Sequence, residues 1–245
     1  MVSRADPERV AAIPAVPVEV HAKGPPQPLE PCRYAFPDPR GAPPEGLMAA
    51  GGDFEPGTVV AAYRRGTFPW PHEVQEYLWF SPDPRAILPP DNLHVSRRLA
   101  RTLRQGRFRV TLDAAFAEVI AGCAVREEGT WITPALREGY IRLHGLGWAH
   151  SFEVWTQEGE LAGGLYGVAV GGMFGAESMF YRVSDASKVA VVAMVQHCQR
   201  VGVSLIDLQV LTAHTASLGA IEVSREEYLA RLAEAIDGPV VFAEG

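Results

Sequence analysis

The stretch from His150 to Leu211, HSFEVWTQEGELAGGLYGVAVGGMFGAESMFYRVSDASKVAVVAMVQHCQRVGVSLIDLQVL, decides the fold. His150 to Thr156, Glu160 to Val170 and Gly172 to Arg182 are rich in β-branched, aromatic and small residues. Glu158-Gly159 and Gly171-Gly172 separate them with the chemistry of hairpin turns, so the three runs read as an antiparallel meander. Ser184 then starts a long helix whose buried face carries Ala186, Val189, Ala190, Ala193, Met194 and His197. Ser204 to Leu211, SLIDLQVL, follows as a further strand. Side chains alternate across a strand, so Asp207 and Gln209 share one face while Ile206, Leu208 and Val210 take the other. Burying either polar head unpaired costs roughly 1–3 kcal/mol. The pair therefore joins an internal hydrogen-bond network or lines a site that a ligand completes, and the strand alone leaves both open.

Upstream, Asp113 is placed to cap a helix carrying Phe116, Val119, Ile120 and Cys123 at helical spacing. Thr133-Pro134 opens another with Leu136, Tyr140 and Leu143 before Gly145. Downstream, Ser224-Arg225-Glu226-Glu227 forms a capping box for a last helix. Helices, antiparallel strands, a helix and a strand make an α+β domain over residues 85–245. Residues 31–84 differ in composition. They are rich in Pro, Gly and aromatics, with one short helical stretch around Thr58 to Arg65, and read as a small loop-dominated N-terminal domain. Residues 1–30, proline-dense toward their end and without a signal-type apolar core, read as a flexible extension.

At 245 residues, 47% apolar and 21% charged, the chain has the composition of a globular protein. No run approaches the roughly 18 apolar residues that span a bilayer, so no membrane segment is expected. Cys32, Cys123 and Cys198 are widely spaced and form no Cys-x-x-Cys pair. That argues against a disulfide framework or structural zinc and fits a reducing cytoplasm. The seven histidines offer no ligand pair, so no metal is expected, and His214 reads as a turn hydrogen-bonder. The net charge of −7 lowers the prospect of a nucleic-acid partner. One segment runs against that average: HVSRRLARTLRQGRFRV, from His94 to Val110, is basic and free of acids. Ser96 would cap its helix and Gly106 stop it, with Arg97, Arg101 and Arg104 along one stripe. Such a stripe suits phosphates or is a solvated face.

Three further residues bear on chemistry. Glu177 is the single acid in Phe174-Gly175-Ala176-Glu177-Ser178-Met179-Phe180, which makes it a candidate site acid. Trp70 in Phe68-Pro69-Trp70-Pro71 and Trp131 in Gly129-Thr130-Trp131-Ile132-Thr133 sit beside conformationally restricted neighbours. Flat rings held in this way can stack on a base, although core packing is the commoner role of a tryptophan.

At this point the motifs carry a resemblance. Gly51-Gly52-Asp53, Gly66-Thr67-Phe68-Pro69-Trp70, Trp79-Phe80-Ser81-Pro82-Asp83-Pro84-Arg85 and Glu127-Glu128-Gly129-Thr130-Trp131-Ile132-Thr133 stand in the first half. Gly175-Ala176-Glu177-Ser178-Met179-Phe180, Asp185-Ala186-Ser187-Lys188 and His214-Thr215-Ala216-Ser217-Leu218-Gly219-Ala220 stand in the second. In order and spacing the chain resembles the bacterial leucyl/phenylalanyl-tRNA–protein transferase family, from about Phe36 to Leu232. The resemblance implies an enzyme that takes leucine, or less readily phenylalanine or methionine, from aminoacyl-tRNA. It would join that residue to the N-terminal Arg or Lys of an acceptor protein and so mark the acceptor for N-end rule degradation. It also implies a small N-terminal domain followed by a large one similar to two fused acetyltransferase-like (GNAT) units.

Carried over residue by residue, Gln209 matches the glutamine that draws the proton from the acceptor amine, Asp207 the residue that polarises or orients it, and Glu177 the acid that helps hold the network and the acceptor. Trp70 and Trp131 match the pair that sandwiches the terminal adenosine. Arg97, Arg98, Arg101 and Arg104 would hold tRNA backbone. The amino-acid pocket would be lined by Leu165, Phe174, Met179, Val191, Met194, Cys198 and Ile206. Departures from the family are Thr212 where it often has asparagine, and Met194 and Cys198 where it often has phenylalanine. An aminoacyl ester is already activated, so the chemistry asks for alignment and deprotonation of an amine and for no cofactor. The final proton acceptor, whether Asp207, water or a ribose hydroxyl, stays open. Two rival readings are a GNAT acyltransferase with another acyl donor and a non-catalytic RNA-binding module. The first lacks a glycine-rich pyrophosphate cradle, since Gln199-Arg200-Val201-Gly202 closes a helix and holds one glycine. The second gives no reason for Glu177, Asp207 and Gln209.

Overall fold

The structure, a computed structural model, describes residues 13–21, 24–71, 77–125 and 129–243. Its centre is an eight-stranded mixed sheet whose strands lie in the order Val18–Val20, Arg109–Leu112, Ala149–Trp155, Leu161–Val170, Met173–Tyr181, Leu205–Gln209, Arg85–Ile87 and Ile221–Val223. The meander expected from the sequence is present as β7 (Ala149–Trp155), β8 (Leu161–Val170) and β9 (Met173–Tyr181), paired antiparallel. The long helix α5 (Ala186–Val201) then crosses over, and β10 (Leu205–Gln209) returns parallel to β9. On β8 the alternation is visible directly. Tyr166, Val168 and Val170 enter one core while Leu165 and Ala169 enter the other. The first core is covered by α1 (Pro56–Arg64), α3 (Phe116–Ala124), α4 (Pro134–Gly145) and α7 (Arg225–Ala235), the second by α5 and α2 (Arg97–Arg104).

The other strands of this sheet come from outside the meander. β5 (Arg85–Ile87) runs antiparallel between β10 and β11 (Ile221–Val223), and β6 (Arg109–Leu112) pairs with β7. β1 (Val18–Val20) is parallel to β6. The expectation of a flexible extension through residue 30 therefore fails at Val18–Val20, whose two valines pack against the second core. Residues 1–12 lie outside the described residues. In the Pro- and Gly-rich segment β2 (Leu47–Ala50), β4 (Leu78–Phe80) and β3 (Phe68–Pro69) form a separate three-stranded sheet. That sheet shares a core with the rest of the chain, because Phe54, Tyr63, Phe68 and Trp79 lie in one cluster with Val119 and Tyr140.

Two helix starts differ from the sequence reading. Asp113 does not cap α3. It holds φ 67°, and its carboxylate accepts from His150 Nδ1 at 2.7 Å and Ser151 N at 3.0 Å, so α3 begins at Phe116. Asp185, also left-handed at φ 72°, precedes α5 and turns its carboxylate to Thr102 Oγ1 at 3.2 Å, which delays the helix from Ser184 to Ala186. Ser96, Thr133 and Ser224 do accept the capping bonds expected of them. Of the capping box only that half is formed, because Glu227 reaches forward to Arg231 at 2.6 Å.

Candidate active site

Glu177 and Gln209 meet because each stands where a strand breaks its own regularity. On β9 the register slips between Ser178, opposite Tyr166, and Ala176, opposite Gly167, so Glu177 is an extra residue without a partner on β8. On β10 the register with β5 slips between Asp207 and Gln209. There the strand ends in a γ-turn: Val210 N donates to Leu208 O at 2.7 Å, with Gln209 at its centre and a φ of 65°. These two irregularities bring Gln209 Nε2 to 2.8 Å from Glu177 Oε1. A carboxylate only accepts, so this bond places the amide NH2 toward Glu177 and turns the amide oxygen away from it.

Glu177 has two more partners. Tyr63 from α1 donates to Oε1, and Tyr140 from α4 donates to Oε2 at 3.2 Å. Tyr63 can lie this close because its ring passes over Gly175, where a Cβ would stand 3.0 Å from Tyr63 Cε1. Burial, and the negative charge of Asp207 in the same direction, push the Glu177 carboxyl up to about 7 against the donors that favour its ionised form. Burial and the Glu177 charge hold both phenols well above their usual range, so they remain donors.

Asp207 is fully enclosed. Arg85 grips it with two bonds, Nε to Oδ1 at 2.9 Å and an Nη to Oδ2 at 2.6 Å, and Tyr228 donates to Oδ2 at 2.9 Å. The guanidinium lies between the rings of Phe68 and Tyr228, its carbon 4.6 and 4.4 Å from their centroids, and also donates to Gly66 O at 3.2 Å. Burial opposes the Arg85 charge, yet the attraction of Asp207 outweighs it and raises the Arg85 pKa. Asp207 orients Gln209 through the main chain. Its Oδ1 accepts from Gln209 N at 2.9 Å and so pins the left-handed residue. With both oxygens engaged and no exposure, Asp207 is not placed to take a proton from an incoming amine.

The sheet face opposite Asp207 opens to a cavity of about 300 Å³ whose lining includes Glu177, Leu165, Met179, Val191 and Met194. Phe174, Cys198 and Ile206 were also expected on its wall. They lie one layer behind: Phe174 stacks on Phe242 at 4.7 Å, Cys198 Sγ sits 3.7 Å from Met194 Sδ, and Ile206 is enclosed in the second core. Thr212 does not support Gln209. Its hydroxyl caps the short helix α6 (Ala213–Ala216), accepting from Thr215 N at 3.1 Å.

Trp70 and Trp131 are both half-buried against the first core. Trp70 stands edge-on to Phe80 at 5.8 Å and tilted to Phe68 at 6.2 Å, beside the ring that covers Arg85. Trp131 lies in the loop that enters α4, the helix bearing Tyr140. The preceding Glu127 and Glu128 fall outside the described residues. On α2, Arg97, Arg98, Arg101 and Arg104 are exposed. Arg98 leans on Asp185 at 3.6 Å, whereas among the described residues no carboxylate pairs with the other three.

Sequence reasoning passed over Arg85, Tyr63, Tyr140 and Tyr228. For Arg85 a signal existed, a lone cation opening the apolar run Ala86-Ile87-Leu88. The tyrosines sit at core positions of amphipathic helices, and nothing in the sequence separates a buried phenol that donates from one that only packs.

Comparison with known proteins bears on this geometry. Residues 87–233 match the family described as Leucyl/phenylalanyl-tRNA protein transferase, and residues 52–83 match the N-terminal domain of the same family. A leucyl/phenylalanyl-tRNA–protein transferase of Anaeromyxobacter sp. (strain Fw109-5) is 54% identical over 215 residues, 86% of this chain and 91% of that protein. The protein of the same name from Aromatoleum aromaticum is 56% identical over 193 residues, 78% of this chain and 81% of its own. Among solved structures, that of L-PGS from Bacillus licheniformis matches 54% of this chain and 46% of its own at 10% identity, with a TM-score of 0.38.

Proposed function

The chain belongs to the leucyl/phenylalanyl-tRNA–protein transferase family, an aminoacyltransferase that moves an amino acid from aminoacyl-tRNA to protein N-termini, and we propose how its residues perform that transfer. The observation that carries the reading is the Gln209–Glu177 bond at the edge of an apolar cavity. The side chain of leucine, phenylalanine or methionine enters the cavity among Leu165, Met179, Val191 and Met194. Its ester carbonyl then stands near Gln209. The amine of an N-terminal Arg or Lys donates to the Gln209 amide oxygen and attacks the carbonyl carbon. A C–N bond forms and the bond to the ribose oxygen breaks; of the two protons that the initial N-terminal ammonium loses, one has passed to Glu177 to leave the attacking amine, and the second goes to the departing ribose oxygen. Glu177, with its raised pKa and its place in the cavity lining, is better suited than Asp207 to receive a proton near neutral pH.

Trp70 and Trp131 hold the terminal adenosine between them, and the exposed arginines of α2 follow the tRNA backbone. The chain divides into a small N-terminal unit, residues 31–84, and a catalytic unit, residues 85–245, of two fused acetyltransferase-like halves. The parallel β9 and β10 joined by the α5 crossover support that division. Products with a new N-terminal leucine are N-end rule substrates, and three free cysteines fit work in the cytoplasm. Incubation with leucyl-tRNA and a peptide beginning with arginine tests the reading: the leucylated peptide is expected, and its absence contradicts the activity.

A further inference from the structure

His214 and Lys188 are absorbed by neither the network around Glu177 nor the packing of the cores. His214 lies five residues beyond Gln209 and lines the same cavity as Glu177. Its Nε2 is closed to solvent and has no hydrogen-bond partner among the described residues. An orphaned ring nitrogen of this kind is destabilising unless a ligand pairs it. Burial, and then the Lys188 ammonium, lower the pKa of the imidazole, so at neutral pH it is uncharged and offers one N–H. Lys188 is the single lysine of the described residues. It occupies the first turn of α5, where a cation opposes the helix dipole and gains nothing for helix stability. The nearest helix-start acid, Asp185, is turned to Arg98 and Thr102. No carboxylate among the described residues pairs with Lys188. Its neighbour Ser187 lines the cavity with His214.

Positive potential next to an unused N–H at the wall of a reaction cavity is the environment that a developing negative oxygen needs. We infer that His214 and Lys188 form the oxyanion site of the transfer reaction, His214 by donating a hydrogen bond to the carbonyl oxygen and Lys188 by its field. The inference rests on the reading of this cavity as the aminoacyl site. As the acceptor nitrogen bonds to the ester carbon, the carbonyl π pair moves onto the oxygen, which these two groups stabilise. The pair returns as the bond to the ribose oxygen breaks, so neither residue changes its proton count. This electrophilic role is separate from the proton removal assigned to Gln209 and Glu177.

The test uses the full chain with His214→Leu, His214→Gln and Lys188→Met. Its readouts are single-turnover leucyl transfer, the Kd of leucyl-tRNA, and binding of a phosphonamidate mimic of the tetrahedral intermediate. Loss of an oxyanion donor lowers the rate constant on the order of a hundredfold. His214→Leu and Lys188→Met should each show such a loss with leucyl-tRNA Kd changed less than about twofold, and the mimic should lose affinity in parallel. His214→Gln, which keeps an N–H donor, should recover part of both. A raised Kd at an unchanged rate constant would assign the pair to ground-state binding and overturn the inference. So would a slowed reaction that leaves mimic affinity untouched. Lys188→Met, at a half-buried position in the first turn of α5 where methionine keeps most of the side-chain stem, keeps the question decidable if His214→Leu does not fold. Failure of the unaltered protein to leucylate the peptide would instead remove the underlying reading.

Discussion

Gln209 holds a backbone conformation that a side chain occupies at a cost of about 1–3 kcal/mol, and Asp207 pins it there through its N–H. The strain is the means by which the amide leaves the strand and reaches Glu177. Gln209→Gly should therefore make the protein as stable as the original or up to about 1 kcal/mol more so in urea unfolding, while transfer is lost; a marked destabilisation would show that the turn is not strained. Glu177 supplies a pH signature. Its native pKa, raised by burial, stands at about 7 against an ordinary 4.5. Between those values the native state binds a proton that the unfolded state has released. Stability is accordingly complete below pH 4.5 and falls as pH rises to 7, by about 3 kcal/mol at most. Glu177→Gln should flatten that slope in denaturant titrations across the range, and an unchanged slope would assign it to another group. At this scale the sequence showed that Asp207 and Gln209 share a face and that Glu177 stands alone among apolar neighbours. It could not show the two register slips, because a bulge is decided by both strands of a pair and each strand by itself reads as regular.

Elements bring the distant partners into range. Arg85 opens β5, Asp207 is on β10 and Tyr228 is on α7, so one enclosed ion pair ties three elements together. Arg85→Met leaves the Asp207 charge buried without its counter-ion and should cost roughly 3–5 kcal/mol in equilibrium unfolding. The double change Arg85→Met with Asp207→Leu should recover most of that, because two apolar groups replace two charges; additive losses would show that the pair is not coupled. On α2, replacing Arg101 and Arg104 should reduce the logarithmic salt slope of leucyl-tRNA binding by about 0.7–0.9 for each phosphate no longer neutralised. Arg98, already engaged by Asp185, should contribute less, and an unchanged slope would return the helix to a solvated surface. The helices and the meander were legible because periodicity and turn residues are local signals. The starts at Asp113 and Ser184 were misread because Asp113 and Asp185 bond to strands and helices far away in the chain, and such partners compete with local capping.

In the whole molecule the compositional boundary near residue 84 is a boundary of sheets but not of cores. Tyr63 crosses it to hold Glu177, and Phe68 crosses it to cover Arg85. The small three-stranded sheet was not legible, since its strands are two to four residues long and fall among prolines and glycines. Nor was β1, whose pairing with β6 spans about ninety residues. The depth of the cavity was also hidden: Cys198 lies one helical turn from Met194, both are fully buried, and only packing decides which of the two lines the cavity. The central claim is that the Gln209 amide, held by Glu177 and Asp207, serves the chemical step rather than the binding of tRNA. Single-turnover transfer of leucine from leucyl-tRNA to an arginyl peptide by Gln209→Ala, with leucyl-tRNA Kd measured on the same preparation, tests it most directly. A rate constant lower by roughly a hundredfold or more is expected, at a Kd within about twofold of the original. Near-normal transfer, or a loss wholly explained by weakened tRNA binding, would contradict it.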